Sequence, residues 1–373
     1  MIYFDNAATT RPSLKAVERA QDILTENYFN PSAKYGGGFA VSGIIKRARE
    51  GLLARIADPL KHELIFTSGG TEGDNHAIFS GARRGNAVAS LGEHAAVYSC
   101  FTELKNRGVE PRFAPLERDG SVNVEALLSL VDDKTSLVSV MHVNNETGAV
   151  NDITAIAKAV KEKNPRTLFM SDGVQAFGKL PVRLGTEIDL YTVSAHKIGG
   201  LKGTGALIKR KGLTLSPLIF GGGQEGNLRS GTENTFGIAV FYYAAEEKFA
   251  SLQEDGARIL KYRETMWSAL DKEYFTRISP PNGTPYILTV SAEGARGEVL
   301  QRMLYDRGVA VGTGSACNSK HRFSRVITAC GYPDSVNDGV LRISFSPETT
   351  EGEITESAAI LNAVAREFLH LSS

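Results

Sequence analysis

Short apolar runs alternate along the chain with longer stretches in which apolar positions recur every three or four residues. The runs Leu64-Ile65-Phe66, Ala87-Val88-Ala89, Leu137 to Val143, Leu168-Phe169-Met170, Leu190 to Val193 and Ala206-Leu207-Ile208 suit buried strands. Their alternation with helical patterns predicts an α/β fold around a largely parallel sheet. Leu14, Val17, Gln21 and Leu24 make a mostly apolar stripe behind Pro12, and Ile153, Ile156 and Val160 make another behind the cap candidate Asn151. Both helices are expected to pack on the sheet.

From residue 251 the texture changes. A long polar helix is expected over Ser251 to Glu273, then a break at Pro280-Pro281-Asn282-Gly283 and a strand near Tyr286 to Val290. Thr350-Glu351-Gly352-Glu353 has the capping-box pattern, and behind it Ile354, Ala358, Leu361, Val364, Ala365 and Phe368 share one helix face. The expected organisation is a large domain over 15–250 and a smaller α+β domain built from 1–14 and 251–373.

Composition narrows the partners. Lys and Arg number 42 and Asp and Glu number 42 among 373 residues, so no overall charge favours nucleic acid or an anionic membrane. No run approaches the roughly 20 apolar residues of a membrane span. The opening Met1 to Asn6 lacks the basic and apolar stretch of a secretory signal, so a cytoplasmic location is expected. Three cysteines without a CxxC pair suit a reducing compartment, and the histidines show no HExxH spacing, so no catalytic metal is expected.

Two motif look-alikes can be set aside. Gly173 to Leu180 nearly spells a P-loop, but Leu180 stands where a magnesium-binding hydroxyl is needed and Pro181 opposes the helix. Gly221 to Gly226 matches G-x-G-x-x-G without a convincing helix behind it, and reads as a shaped loop. Other strand ends carry more. Thr67-Ser68-Gly69-Gly70-Thr71-Glu72 leads from a strand into a helix, where free backbone N–H groups and the Thr71 hydroxyl suit a phosphate, or simply form a turn capped by threonine. One later strand delivers Asp172, with Gln175 close behind, and the next delivers Ser194-Ala195-His196-Lys197. Parallel strands release their carboxyl ends into one crevice, so the acid and the lysine can converge. Pyridoxal phosphate needs such a pair: an amine for its aldehyde and a carboxylate for its ring nitrogen. The alternative is that Asp172 caps a helix and Lys197 lies on the surface. His94 is a candidate to stack on the ring or relay protons.

Cys317 lies in Gly312-Thr313-Gly314-Ser315-Ala316-Cys317-Asn318-Ser319-Lys320-His321-Arg322, where glycines allow movement and three basic side chains favour a thiolate. Cys100 and Cys330 have apolar neighbours and read as core residues. Arg342, inside a strand-like run, calls for an acid: a substrate carboxylate or a structural partner.

Taken in order, these pieces resemble the cysteine desulfurases of the class V aminotransferase group, which have the fold-type I architecture of pyridoxal phosphate enzymes. The resemblance runs from Tyr3-Phe4-Asp5-Asn6-Ala7-Ala8-Thr9-Thr10 through Asn30-Pro31-Ser32, Gly69 to Glu72, Glu93-His94, Asn144 to Gly148, Asp172 to Gln175, Ser194 to Lys197 and Arg229 to Asn234, to Cys317 and Arg342. It implies that Lys197 holds the cofactor and shuttles protons, Asp172 pairs with its ring nitrogen, Gln175 bonds its ring hydroxyl and His94 stacks on it. Gly70, Thr71, Ser194 and His196 would hold the phosphate with Thr232 of a second subunit, hence a homodimer. Asn30, Asn145 and Arg342 would place L-cysteine, and Cys317 would receive its sulfur for an acceptor or iron–sulfur scaffold protein. A selenocysteine lyase or related β-elimination enzyme, and a catalytically silent protein-binding scaffold, are the alternatives. Two positions depart from the pattern: Tyr35 stands near where many relatives carry histidine, and Asn318 where threonine is common.

Overall fold

The computed structural model describes residues 1–314 and 322–371. Among them, seven strands form the main sheet in the order His62–Thr67, Gly205–Arg210, Leu190–Ser194, Leu168–Asp172, Thr135–Ser139, Asn86–Ser90, Glu110–Ala114. Gly205–Arg210 runs antiparallel to both its neighbours, and the remaining pairs are parallel. The strands read as unbroken apolar runs because both faces are covered. Leu64, Phe66, Val138, Phe169 and Tyr191 enter one core, while Ile65, Leu137, Met170 and Leu190 enter the core on the opposite face. The strand Glu110–Ala114, of sequence EPRFA, was not expected. It is an edge strand, half-exposed and opened by a charge and a proline, and it lacks the apolar run that marked the others.

Three local expectations are corrected. The first helix stops at Arg19 and a separate turn covers Asp22–Thr25. Leu14 and Leu24 are 78% and 59% exposed; Ala16, Ala20 and Ile23 are buried instead, with Ala239, Val240 and Ala244 of the helix Thr235–Ala250 rather than on the sheet. Ser13 caps this first helix through Ala16 N–H. Asp152, not Asn151, caps Ile153–Lys163, because Asn151 accepts from Val122 N–H and donates to the Met141 carbonyl. The strand expected to reach Val143 ends at Ser139, since the Met141 N–H turns to the Glu93 carboxyl at 2.8 Å.

A third core combines Ile2 and Phe4 with Ile259, Leu288, Leu300, Val309, Leu341 and Ile354. It is organised by the strands Ile2–Phe4 and Val309–Val311, which pair in parallel, and by Ile287–Ser291, which pairs antiparallel with Val340–Ser344. The expected capping box is present: Thr350 N–H reaches Glu353 at 2.8 Å and Glu353 N–H returns to Thr350 Oγ1 at 3.3 Å. Behind it Ile354, Ala358, Leu361, Val364 and Ala365 are buried in Glu351–Leu371. Among the described residues, no helix is long and apolar enough to cross a membrane.

Candidate active site

The strands ending in Thr67, Ser90, Ser139, Asp172 and Ser194 all point the same way, since the two antiparallel steps around Gly205–Arg210 cancel. Their carboxyl ends therefore open on one edge of the sheet, the usual place for a ligand in such folds. Asp172 and Thr192 are register partners, so the strand ending in Ser194 passes directly beside Asp172. The short 3-10 turn Ala195–Lys197 then carries Lys197 into the same crevice.

Lys197 Nζ donates to the carbonyls of Ala7 and Ala8 at 2.8 and 2.7 Å. Asp172 is buried and accepts Val174 N–H at 2.9 Å. Burial raises its pKa, against the pull of His94, the Val174 N–H and Lys197. His94 caps Ala95–Leu104, with Nδ1 accepting from Ala96 N–H at 3.2 Å. Burial lowers the pKa of its ring despite Asp172, and Lys197, Arg325 and Arg342 lower it further, so a neutral imidazole is favoured. Gln175 donates from Nε2 to the Ala7 carbonyl at 2.8 Å.

An anion cradle lies beside this group. The helix Gly70–Gly81 begins with no side-chain cap, which leaves the N–H groups of its first turn to a ligand, and Thr71 sits in that turn. A methyl at Gly70 would stand 2.9 Å from Val174 Cγ2 and 3.8 Å from Ser194 Cβ, so glycine lets the turn close on both. Ser194 Oγ is buried and has no hydrogen-bond partner among the described residues. His196 Nδ1 meets Thr9 Oγ1 at 3.1 Å, and burial, with Lys197, Lys202 and Lys179 nearby, pushes its pKa down to about 4. Glu72 accepts Ser68 N–H and pairs with Arg229 at 2.9 Å, which ties the loop carrying exposed Thr232 to this turn. An orphaned hydroxyl, an uncapped helix start, an amine and a buried acid form a donor set that fits pyridoxal phosphate.

On the other side Arg342, 4% exposed, donates from Nη2 to Asp5 Oδ1 at 2.8 Å and from Nη1 to the Asn145 carbonyl at 2.9 Å. Its Nε has no partner among the described residues. The Nε–Nη2 edge can therefore take a carboxylate while Asp5 keeps the other Nη2 hydrogen. Gly312 is not a free hinge: it exchanges both backbone hydrogen bonds with Arg342, at 2.9 and 2.8 Å. Asn30 is exposed in the loop before the helix Gly36–Ile56, where its side chain accepts Ser32 N–H, and Tyr35 is exposed as well.

The profile of the class-V aminotransferases matches residues 2–356. The chain belongs to that family. It is 34% identical to the cysteine desulfurase IscS of Methanosarcina thermophila, over all of this chain and 93% of that one. A solved NifS-like protein superposes with a TM-score of 0.92 at 33% identity, covering 98% of this chain and 99% of the other. A structure described as SspA in complex with cysteine superposes at 0.81, with 30% identity, covering 94% of this chain and all of the other. The resemblance read from the motifs, and the fold it implied, are borne out.

Two acids beside these groups carried no assigned role in the sequence. Glu93, fully buried, accepts from Ser90 Oγ at 2.7 Å, Ser139 Oγ at 3.1 Å and Met141 N–H at 2.8 Å, and burial raises its pKa to about 7. Glu146 is half-buried and accepts from Ser324 Oγ, and desolvation raises its pKa. A cavity of about 630 Å³ beside His94 is lined by Glu93, Asn145, Glu146, Gly314 and Arg325. An acid before His94 and an arginine near the cysteine stretch were visible in the sequence, but nothing local told what they would bond. Cys317 lies outside the described residues. Cys100 and Cys330 are buried, with thiols pushed up by burial to about 12, as inert core positions require. Arg322, expected to favour the Cys317 thiolate, pairs with Asp338 at 2.6 Å.

Proposed function

We propose that this chain is a pyridoxal phosphate-dependent cysteine desulfurase that moves the sulfur of L-cysteine to Cys317 and releases L-alanine. The observation that carries the reading is the convergence of Lys197 and Asp172 from adjacent strand ends in one crevice, beside an uncapped helix start. Relatives named cysteine desulfurase over their full length support the substrate.

Lys197 would hold the cofactor aldehyde, Asp172 its ring nitrogen, Gln175 its ring oxygen, and His94 one ring face. Gly70, Thr71, Ser194 and His196 would hold its phosphate, with Thr232 of the partner subunit. When bound, the group supplies an electrophilic carbon for an amine and a ring that accepts the electron pair left at the substrate Cα. Arg342 fixes the substrate carboxylate by its Nε–Nη2 edge, with Asn145 alongside and Asn30 assigned to substrate placement by resemblance. Lys197 would take the Cα proton, and the Ala7 and Ala8 carbonyls hold its amine within the crevice. The Cys317 thiolate would attack the substrate sulfur: an S–S bond forms, the C–S bond breaks with its electron pair left on carbon, a proton completes the alanine methyl, and Lys197 returns a proton to Cα.

Exposed rings at Tyr28, Tyr35, Phe39 and Phe220 support association into a homodimer. The separate cores support a division into 15–250 and 1–14 with 251–373. A cytoplasmic role in iron–sulfur assembly or thio-modification, through a sulfur-acceptor protein, completes the reading. The test is alanine and persulfide formation from cysteine. Lys197→Ala is expected to lose the visible cofactor band and all turnover, while Cys317→Ala keeps the band and loses persulfide. A band retained without Lys197, or full sulfur transfer without Cys317, overturns the reading.

A further inference from the structure

The stretch that imitates a P-loop has a different place in the molecule. Gly173 to Leu180 folds as tight turns behind Asp172, with Phe177 N–H returning to the Gly173 carbonyl and Lys179 N–H to that of Ala176. This brings Lys179 back over Gln175, four residues earlier. Lys179 is 7% exposed, and its Nζ donates to Gln175 Oε1 at 2.8 Å. The partner is a neutral amide rather than a carboxylate. Burial, and then the cations Lys197, Arg342 and Lys248, push the Lys179 pKa down to about 7; the Tyr286 ring lies 5.8 Å from its Nζ.

A lysine at that place removes an ambiguity. An amide presents a donor end and an acceptor end, and its orientation follows from what faces each. Lys179 offers hydrogens and takes the carbonyl end. The Ala7 carbonyl, which can only accept, takes one Nε2 hydrogen at 2.8 Å. The second Nε2 hydrogen then remains for the ring oxygen that Gln175 is proposed to bond. Ala7 also accepts from Lys197 Nζ, so a continuous line runs from Lys179 through Gln175 and Ala7 to Lys197.

We infer that Lys179 is a positioning residue, which locks the Gln175 amide with its nitrogen toward the cofactor's ring oxygen and so lowers the proton affinity of the cofactor–Lys197 linkage. The inference rests on the cofactor reading above. A donor at the ring oxygen stabilises its anionic form and makes the neighbouring nitrogen a weaker base.

The test is a pH titration of the visible band of the loaded enzyme, needing no substrate. For Lys179→Met the midpoint is expected to rise by roughly one pH unit, the size of one hydrogen bond. Lys179→Arg, which keeps a donor, restores part of the shift. Gln175→Ala raises the midpoint by itself, and adding Lys179→Met to it adds nothing further, as a line acting through Gln175 requires. Should the methionine variant fail to fold, Lys179→Ala, which also removes the donor, takes its place in both backgrounds. An unmoved midpoint overturns the inference. So does a shift that persists in full on the Gln175→Ala background, which would belong to the charge of Lys179 alone. A wild-type protein that develops no band overturns the cofactor reading itself, and this inference with it.

Discussion

Replacing Gly312 with alanine separates two roles that glycine could have at the start of the cysteine stretch. If Gly312 serves movement, as its sequence context suggests, the substitution slows sulfur transfer and leaves substrate binding alone. The structure favours the opposite outcome. A methyl at this position would stand 2.7 Å from Asp5 Oδ1, 2.8 Å from Arg342 Nη2 and 3.1 Å from its Nε. The strand cannot back away, because Gly312 and Arg342 exchange two backbone hydrogen bonds. Nor can the guanidinium swing freely, being buried and held at Nη1 by the Asn145 carbonyl. The methyl therefore disturbs the Nε–Nη2 edge assigned to the substrate carboxylate. A charge-assisted hydrogen bond is worth about 1.5–3 kcal/mol, so kcat/KM is expected to fall about 10- to 150-fold. The fall should reside mainly in KM, with the cofactor band intact. The assay is alanine production against cysteine concentration. An unchanged KM with a reduced kcat would falsify the assignment and return Gly312 to its role as a hinge.

Two further outcomes follow from buried charge. The fold raises Glu93 from 4.5 to about 7, so its contribution to stability is complete at low pH and is lost as pH rises through about 7. Glu93→Gln removes that titration; thermal unfolding over roughly pH 5 to 9 should show the wild type losing stability relative to the variant, and parallel curves would refute this. Glu225, at a positive φ of 50°, receives Arg49 at 2.5 and 2.7 Å and Phe66 N–H at 2.9 Å. Glu225→Ala leaves Phe66 N–H without its acceptor and Arg49 with the Leu64 carbonyl alone, and should cost roughly 1–3 kcal/mol in urea unfolding, whereas no measurable loss would show the pair to be replaceable by water.

The fold was legible where a signal is local. Leu64-Ile65-Phe66 and Leu168-Phe169-Met170 declare strands because both faces of a central strand need apolar cover, and Thr350 with Glu353 declares a helix start because the two satisfy each other. The first helix starts where the pattern put it but stops at Arg19, and its buried face differs from the one the pattern marked. Small Ala16 and Ala20 admit a close approach to Thr235–Ala250, and a large-residue stripe points to Leu14 and Leu24 instead. Glu110–Ala114 carried no strand signal because an edge strand needs little apolar cover.

In the site, the chain alone determined that an acid, a lysine and a glycine-opened helix start follow successive strand ends, and topology then obliges strand ends of one direction to share an edge. It did not determine what each buried polar group would hold. That Arg342 spends one hydrogen on Asp5, that Ala7 serves Gln175 and Lys197 together, and that Lys179 turns inward onto an amide were decided by tertiary structure. The reason is physical. Backbone patterns arise from neighbours a few residues apart, whereas a polar atom withdrawn from water must bond whatever folding brings within about 3 Å, and such a partner can be hundreds of residues distant.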